Sequence, residues 1–440
     1  MRRHADLAAA GLALALFAVA SITGALLYLA GRPVYASAAP LFAHWLPHVG
    51  PGTPLAAGIV VAVCVYGPRV AAGLSWRWLS VAAYLTAVAW TMSLALIDGW
   101  QRGIAGRLTT EHEYLHEVPG ITDVPATLAG FTGRILDFQP DSWTTHVSGH
   151  PPGALLFFVA LDRIGLGGGG WAGLACVLAG AVIAVAVPRT VRVLGTDADA
   201  RAAVPFLVLF PGAVWVGASA DGLFAGVTAT GVALLASGAV RRSPIRLLGG
   251  GMLLGLGCYL SYGLVLMGAV ALMVLVIGRS GPLLAGWAVA GAAAVVAAFT
   301  AAGFWWFTGY TLVIERYYQG IATDRAYAYW VWANLAVLVV SAGPAAAPVI
   351  RRAAGRLWTL RRPFDLGPYA GALLAASGLA AIVAADLSGY SKAETERIWL
   401  PFAVWLLAGA GLLPPERRRF WLAAQGLIAL LVNHLLLTNW

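Results

Sequence analysis

Charge is what this sequence has least of. Only 11% of its 440 residues are Asp, Glu, Lys or Arg, against 60% hydrophobic, and lysine occurs once, as Lys392. That composition excludes a soluble domain of this size. Cysteine is almost as scarce. Cys64, Cys176 and Cys258 all lie inside apolar runs, so they offer neither metal-ligand spacing nor an evident disulfide and read as small buried hydrophobes. Internal repeats and long polar linkers are missing too, and nothing resembles a separate soluble domain.

What is present is a series of apolar runs at the length of membrane-spanning helices. We place thirteen, at 8–29, 54–71, 78–97, 171–187, 204–219, 222–240, 247–260, 262–277, 283–304, 329–350, 369–385, 398–413 and 420–437. The expectation is a single all-α polytopic membrane domain over residues 1–440. The run at 8–29 is too long for a cleavable signal core, although Tyr35-Ala36-Ser37-Ala38 faintly resembles a cleavage site, and is read as a retained first helix. The pair 247–260 and 262–277 is short, which suits a broken hairpin as well as two spans.

Orientation follows from arginine. With the N-terminus in the cytoplasm, the inner loops hold 19 of the 28 basic residues and the outer loops 9, Arg351, Arg352, Arg361 and Arg362 being among the inner ones. The net charge of +9 therefore reads as positive-inside bias, with no nucleic-acid partner. Residues 154–166 contain Asp162 and Arg163 and are too short to span. They are placed along the outer interface as an amphipathic helix closing a large extracytoplasmic loop over 98–166. The glycine run Gly167–Gly170 follows no strand, so it does not read as a phosphate-binding loop.

On this topology the polar clusters fall on the outer side. The loop carries Glu111-His112-Glu113-Tyr114 and ends in His146-Val147-Ser148-Gly149-His150-Pro151-Pro152-Gly153. Asp221 follows at a tight turn. Then come Arg316, Tyr317 and Arg325, and finally Lys392-Ala393-Glu394-Thr395-Glu396-Arg397. A carboxylate can take a proton from a hydroxyl as general base. Arginine and lysine can hold a phosphate. Tyrosine can stack on a sugar or sit among membrane lipid headgroups. Glu111 and Glu113, two residues apart, cannot share a helical face, so only one is expected to act. His146 and His150 stand one helical turn apart, a spacing seen in metal pairs, but the following prolines oppose helix at His150.

These residues, in order, resemble the GT-C superfamily of membrane glycosyltransferases. The likeness is closest to its bacterial branch with dolichyl-phosphate-mannose-type protein mannosyltransferases and lipid A sugar transferases. Glu111-His112-Glu113-Tyr114-Leu115 stands where that family has its acidic motif, and Gly149-His150-Pro151-Pro152-Gly153 where it has a His-Pro-Pro or Lys-Pro motif. Phe210-Pro211 with Ser219-Ala220-Asp221 resembles the proline-then-aspartate hairpin, Gly255–Tyr262 the glycine-rich segment, and Glu394–Leu400 a late motif. The acid pair here is Glu-x-Glu rather than adjacent, two extra spans precede the acidic loop, and Ser261 stands where lysine is frequent.

The resemblance implies an inverting transferase of the plasma membrane with its active site on the extracytoplasmic face. It would use a polyprenyl-phosphate sugar, mannose or arabinose being the candidates, and a glycan, glycolipid or protein acceptor. Glu113 or Glu111 would be the base, with Glu113, beside the tyrosine, preferred. Tyr114, His146 and His150 would shape the pocket and Asp221 would be a second acid. Arg316, Arg325, Lys392 and Arg397 would meet the donor phosphate, with Tyr317 and Glu396 beside them. A divalent cation, magnesium or manganese, is left open. The competing reading is a transporter or flippase for a lipid-linked or anionic solute, which predicts repeats and ionisable residues within the spans.

Overall fold

A computed structural model describes residues 2–360 and 365–438, with Arg361 and Arg362 outside the described residues. Among these, seven helices are long and apolar enough to cross a membrane, or eight if the bent pair Tyr327–Ser341 and Ala346–Trp358 is one span. The thirteen expected spans are therefore not all matched by long helices. Pro244–Leu260, Tyr262–Ile277 and Leu400–Leu412 are shorter apolar helices, and the last helix, Arg418–Leu435, includes Arg418, Arg419, Gln425 and Asn433.

The expected span 204–219 is broken. Helix Asp197–Val208 ends before Phe210-Pro211-Gly212, one further turn forms over Ala213–Val216, and Ala218 takes a positive φ of 57° before helix Ala220–Arg241 begins. A proline supplies no N–H and fixes its own φ, which ends the regular ladder. The Phe210 carbonyl accepts from the Ala213 N–H at 3.1 Å and from Trp90 Nε1 at 3.2 Å. Everything from Val204 to Leu223 is buried except for the smallest traces of surface, the condition under which irregular backbone is tolerated at membrane depth.

Helix Ala220–Arg241 lies at the centre of the bundle and is buried along most of its length. Arg2–Leu29 and Pro282–Ala301 lie at the periphery, with Leu12, Ile22, Leu26, Leu29, Leu283 and Val289 exposed. A continuous apolar exterior of that kind suits lipid rather than water. Small residues set the spacing between helices. A Cβ on Gly251 would stand 1.9 Å from the carbonyl oxygen of Ala288, and one on Gly226 2.0 Å from that of Ala179. The glycine-rich segment 255–262 belongs to this packing: Gly255 abuts Ala292, and Tyr259 stacks on Phe299 with ring centroids 4.0 Å apart.

The pair Tyr327–Ser341 and Ala346–Trp358 bends by 104°. Gly343 sits in the bend at φ 94°, a conformation that costs other residues. Buried Gln425 from the last helix satisfies the break. Its Nε2 donates to the Ala342 carbonyl at 3.2 Å and its Oε1 accepts from the Ala345 N–H at 3.3 Å. Gln425→Leu should therefore strand two buried backbone groups and cost about 1–3 kcal/mol for each. Thermal unfolding of the detergent-purified protein would measure it, and an unchanged Tm would show that water serves the break instead.

Expected interfacial residues 154–166 form helix Pro152–Arg163, which buries Pro152, Leu155, Phe158 and Val159 as one stripe. Strands Ala43–Trp45 and Leu436–Thr438 pair antiparallel and form the one small sheet among the described residues.

Candidate active site

The loop from Asp98 to Pro152 is folded rather than extended. Short helices form at Tyr114–Glu117, Val124–Gly130 and Thr145–Gly149. Asp123 caps the second by accepting from the Ala126 N–H. Glu117 Oε1 accepts from the Thr144 N–H at 2.9 Å, and the His146 N–H donates to the His112 carbonyl at 3.0 Å. These bonds close the loop on itself, so that its acidic start and its histidine end lie side by side.

Glu113 and Glu111 are thereby separated in environment. Glu113 is 4% exposed. Its Oε1 lies 2.8 Å from His146 Nδ1, and its buried Oε2 has no hydrogen-bond partner among the described residues. Glu111 points outward, its side chain 81% exposed, with only His112 at 3.7 Å. The turn over residues 110–113 leaves one acid pointing in and the other out.

Arg397 joins three elements. Its Nη1 donates to Asp221 Oδ2 at 2.7 Å, and its Nη2 to Glu394 Oε2 at 2.9 Å and to His146 Nε2 at 3.3 Å. Asp221 stands in the first turn of helix Ala220–Arg241, where the Ser219 hydroxyl accepts from its N–H at 3.1 Å and the helix N-terminus favours negative charge. Burial works against the Arg397 charge, but Asp221 and Glu394 more than offset it and hold the guanidinium firmly protonated. Burial likewise opposes the Glu394 carboxylate, and Arg397 and Arg325 overcome it, keeping its pKa below the ordinary value. Arg107, Glu113, Tyr114, His146, Ser219, Asp221 and Arg397 line one narrow pocket.

His150 and Tyr114 form the pocket's flank. Tyr114 OH and the His146 carbonyl both lie within hydrogen-bond reach of His150 Nδ1, at 2.9 and 2.8 Å. Burial lowers the His150 pKa to about 4, so it is neutral at physiological pH, and burial raises that of Tyr114. His146 and His150 do not pair as ligands: their rings are edge-on with centroids 6.4 Å apart. On the far side of Tyr114, Phe158 helps line a second, more apolar pocket with Leu115, Leu161 and Asp162.

Like Arg397, the other three cations expected at a phosphate are held by the protein itself. Arg325 binds Glu394 at 3.2 Å and the Lys392 carbonyl at 2.9 Å, and Phe42 covers its guanidinium. Lys392 Nζ donates to the Ala322 carbonyl at 2.9 Å, and burial lowers its pKa. Arg316 binds Asp137 and donates to Ser148 Oγ at 3.2 Å. The Tyr317 hydroxyl accepts from the Lys392 N–H, and burial raises its pKa to about 12.

Glu396 also turns away from the pocket. Its Oε1 accepts from the Phe42 N–H at 2.8 Å, while Oε2 is buried with no partner among the described residues. Burial raises its pKa from 4.5 to about 7. The folded protein then binds this proton more tightly than the unfolded chain does. Stability contributed by the neutral form is complete below about pH 4.5 and is lost as pH rises through about 7. Glu396→Gln should remove that slope and leave the protein about 3 kcal/mol more stable at pH 8 than wild type. Parallel pH–stability curves for the two proteins would discount a buried, neutral Glu396.

Sequence reasoning left Glu394, Arg107 and Asn334 out of the expected site. Glu394 was legible in principle, because it stands three residues before Arg397 and so shares its helical face, whereas Glu396 is its immediate neighbour. Arg107 lies in the irregular stretch after Asp98 and donates to the Thr438 carbonyl at 2.6 Å, a contact no local pattern announces. Buried Asn334 donates to Asp386 at 3.0 Å and to the Ser391 carbonyl at 2.6 Å, and accepts from the Ala393 N–H, fixing the loop that carries Lys392 and Glu394.

The residues do not fit a divalent cation. Among the described residues no three His, Cys, Asp or Glu side chains converge as a metal-holding group. The Arg397 guanidinium also lies against Asp221, Glu394 and His146, placing a fixed positive charge among the very donors a cation would need.

No protein-family profile matches the chain, and no curated protein sequence matches it. Among solved structures, it is similar to the crystal structure of the Archaeoglobus fulgidus oligosaccharyltransferase in complex with zinc and sulfate. The TM-score is 0.41 at 12% identity, over 80% of this chain and 51% of that one. This chain thus spans about half of that protein's length.

Proposed function

We propose that this protein is an inverting glycosyltransferase that moves a sugar from a polyprenyl-phosphate donor to a hydroxyl of an extracytoplasmic glycan, glycolipid or protein. The observation that carries the reading is Glu113 Oε2, a buried carboxylate oxygen without a partner among the described residues, in a pocket also lined by Arg107, Asp221 and Arg397. A buried, unpaired carboxylate oxygen is costly to maintain, and proton transfer is a use that requires one.

In the reaction, the acceptor hydroxyl oxygen attacks C1 of the sugar while the bond from C1 to the phosphate oxygen breaks. The electron pair leaves with the polyprenyl phosphate, the hydroxyl proton passes to Glu113 Oε2, and configuration at C1 inverts. Negative charge grows on the departing phosphate. Arg107 and Arg397, the two guanidinium groups of this pocket, supply the positive field for it. Arg316, Arg325 and Lys392 do not line this pocket and act through the scaffold. Arginine distribution supports an extracytoplasmic site, which the reading places in the plasma membrane.

The test is direct transfer with purified protein and a panel of polyprenyl-phosphate sugars. The expected result is release of polyprenyl phosphate with a product of inverted anomeric configuration. Retention of configuration, or no release from any donor, would sink the reading.

A further inference from the structure

We infer that His146 is a positioning residue, fixed by Arg397 in the Nδ1–H tautomer so that it holds one oxygen of Glu113 and leaves the other to accept a proton. The inference deepens the transfer reading and rests on Glu113 being its base; the tautomer does not depend on that reading.

The argument is one of donors and acceptors. A guanidinium carries five N–H donors and no acceptor. Arg397 Nη2 lies 3.3 Å from His146 Nε2, so Nε2 must present its lone pair. An imidazole with a lone pair on Nε2 carries its proton on Nδ1. Nδ1 lies 2.8 Å from Glu113 Oε1, and that proton is donated there. An imidazolium would instead aim an N–H at a cation.

The ring has little freedom to do otherwise. His146 is 7% exposed, Tyr114 packs at a centroid distance of 6.0 Å, and the residue's own N–H and carbonyl are engaged by His112 and His150. The consequence is a division of labour within one carboxylate. Oε1 is tied by the hydrogen bond to Nδ1, while Oε2 is buried with no partner among the described residues.

Two measurements test this. In protein labelled with 15N-histidine, the His146 signals, assigned by their loss in His146→Gln, should report a protonated Nδ1 and an unprotonated Nε2 at pH 7.5. An imidazolium, or a proton on Nε2, would overturn the inference. In transfer assays, His146→Ala should lower kcat by about a hundredfold, the scale of a misplaced catalytic group, with KM little changed. His146→Asn, whose amide N–H can stand where Nδ1–H does, should restore most of kcat. Equal loss in both variants with a raised KM would make His146 a substrate contact and overturn the positioning role. No transfer by the wild-type protein would instead remove the transfer reading and the positioning role with it, leaving the tautomer decided by the spectrum.

Discussion

An Arg397→Met variant is expected to lose about 3–5 kcal/mol of stability, the scale seen when one partner of a buried ion pair is removed. The reason is the number of groups that lose their partner together. Asp221 is 5% exposed and faces Arg397 directly. Glu394 would keep Arg325 but lose its second cation. His146 would lose the donor that fixes its tautomer. The methionine stem replaces the apolar volume but none of the charge. Chemical unfolding in detergent, or the fraction of protein surviving size-exclusion chromatography, would measure the loss. The double variant Arg397→Met with Asp221→Asn separates charge from shape. Removing both charges of the pair should recover part of the stability, because no unpaired ion then remains at Asp221, while transfer stays abolished. A double variant no more stable than the single one would show that Arg397 acts through packing.

Glu113→Gln is expected to reduce transfer by about 10²–10⁴-fold, the range that general base catalysis supplies. Glutamine is the informative replacement. Its carbonyl oxygen can still accept from His146 Nδ1, so folding should hold, while the atom at the Oε2 position becomes an NH2 that cannot take a proton. Glu111→Gln should stay within about twofold of wild type, since surface changes away from a site are close to neutral. The pair is an internal control, because the two residues are chemically identical and differ only in which way the chain turns them. Comparable losses at both positions would remove the assignment of the base.

The contrast between these glutamates shows where sequence stops. Spacing established that Glu111 and Glu113 could not share a helical face, yet it could not say which faced inward. That depended on the closure of the loop by Thr144, Glu117 and the His146–His112 bond, which span about thirty residues. The late motif behaved similarly. Its residue types were legible, but Glu396 turned to Phe42 and Glu394 to Arg397, and positive φ at Ala393 and Glu394 set that rotation. The apolar runs mark the seven long apolar helices, and fail at 329–350, which bends by 104°, and at 204–219, where Phe210-Pro211-Gly212 interrupts an unbroken hydrophobic stretch. Hydropathy averages over such breaks because buried irregular backbone needs the same apolar side chains as buried helix.

By itself, then, the sequence determined the environment of this protein. Low charge and repeated apolar runs require lipid around it, since no other arrangement satisfies both side chains and backbone. It also determined which residues were expensive enough to need a reason. Only the tertiary structure decided what those residues do to one another. Glu113, His146, Asp221 and Arg397 come from four separate stretches of chain, and their chemistry lies in distances of 2.7 to 3.3 Å between side chains. Hydrogen bonding and Coulomb attraction act through space at that range, and the order of residues along the chain carries no record of it.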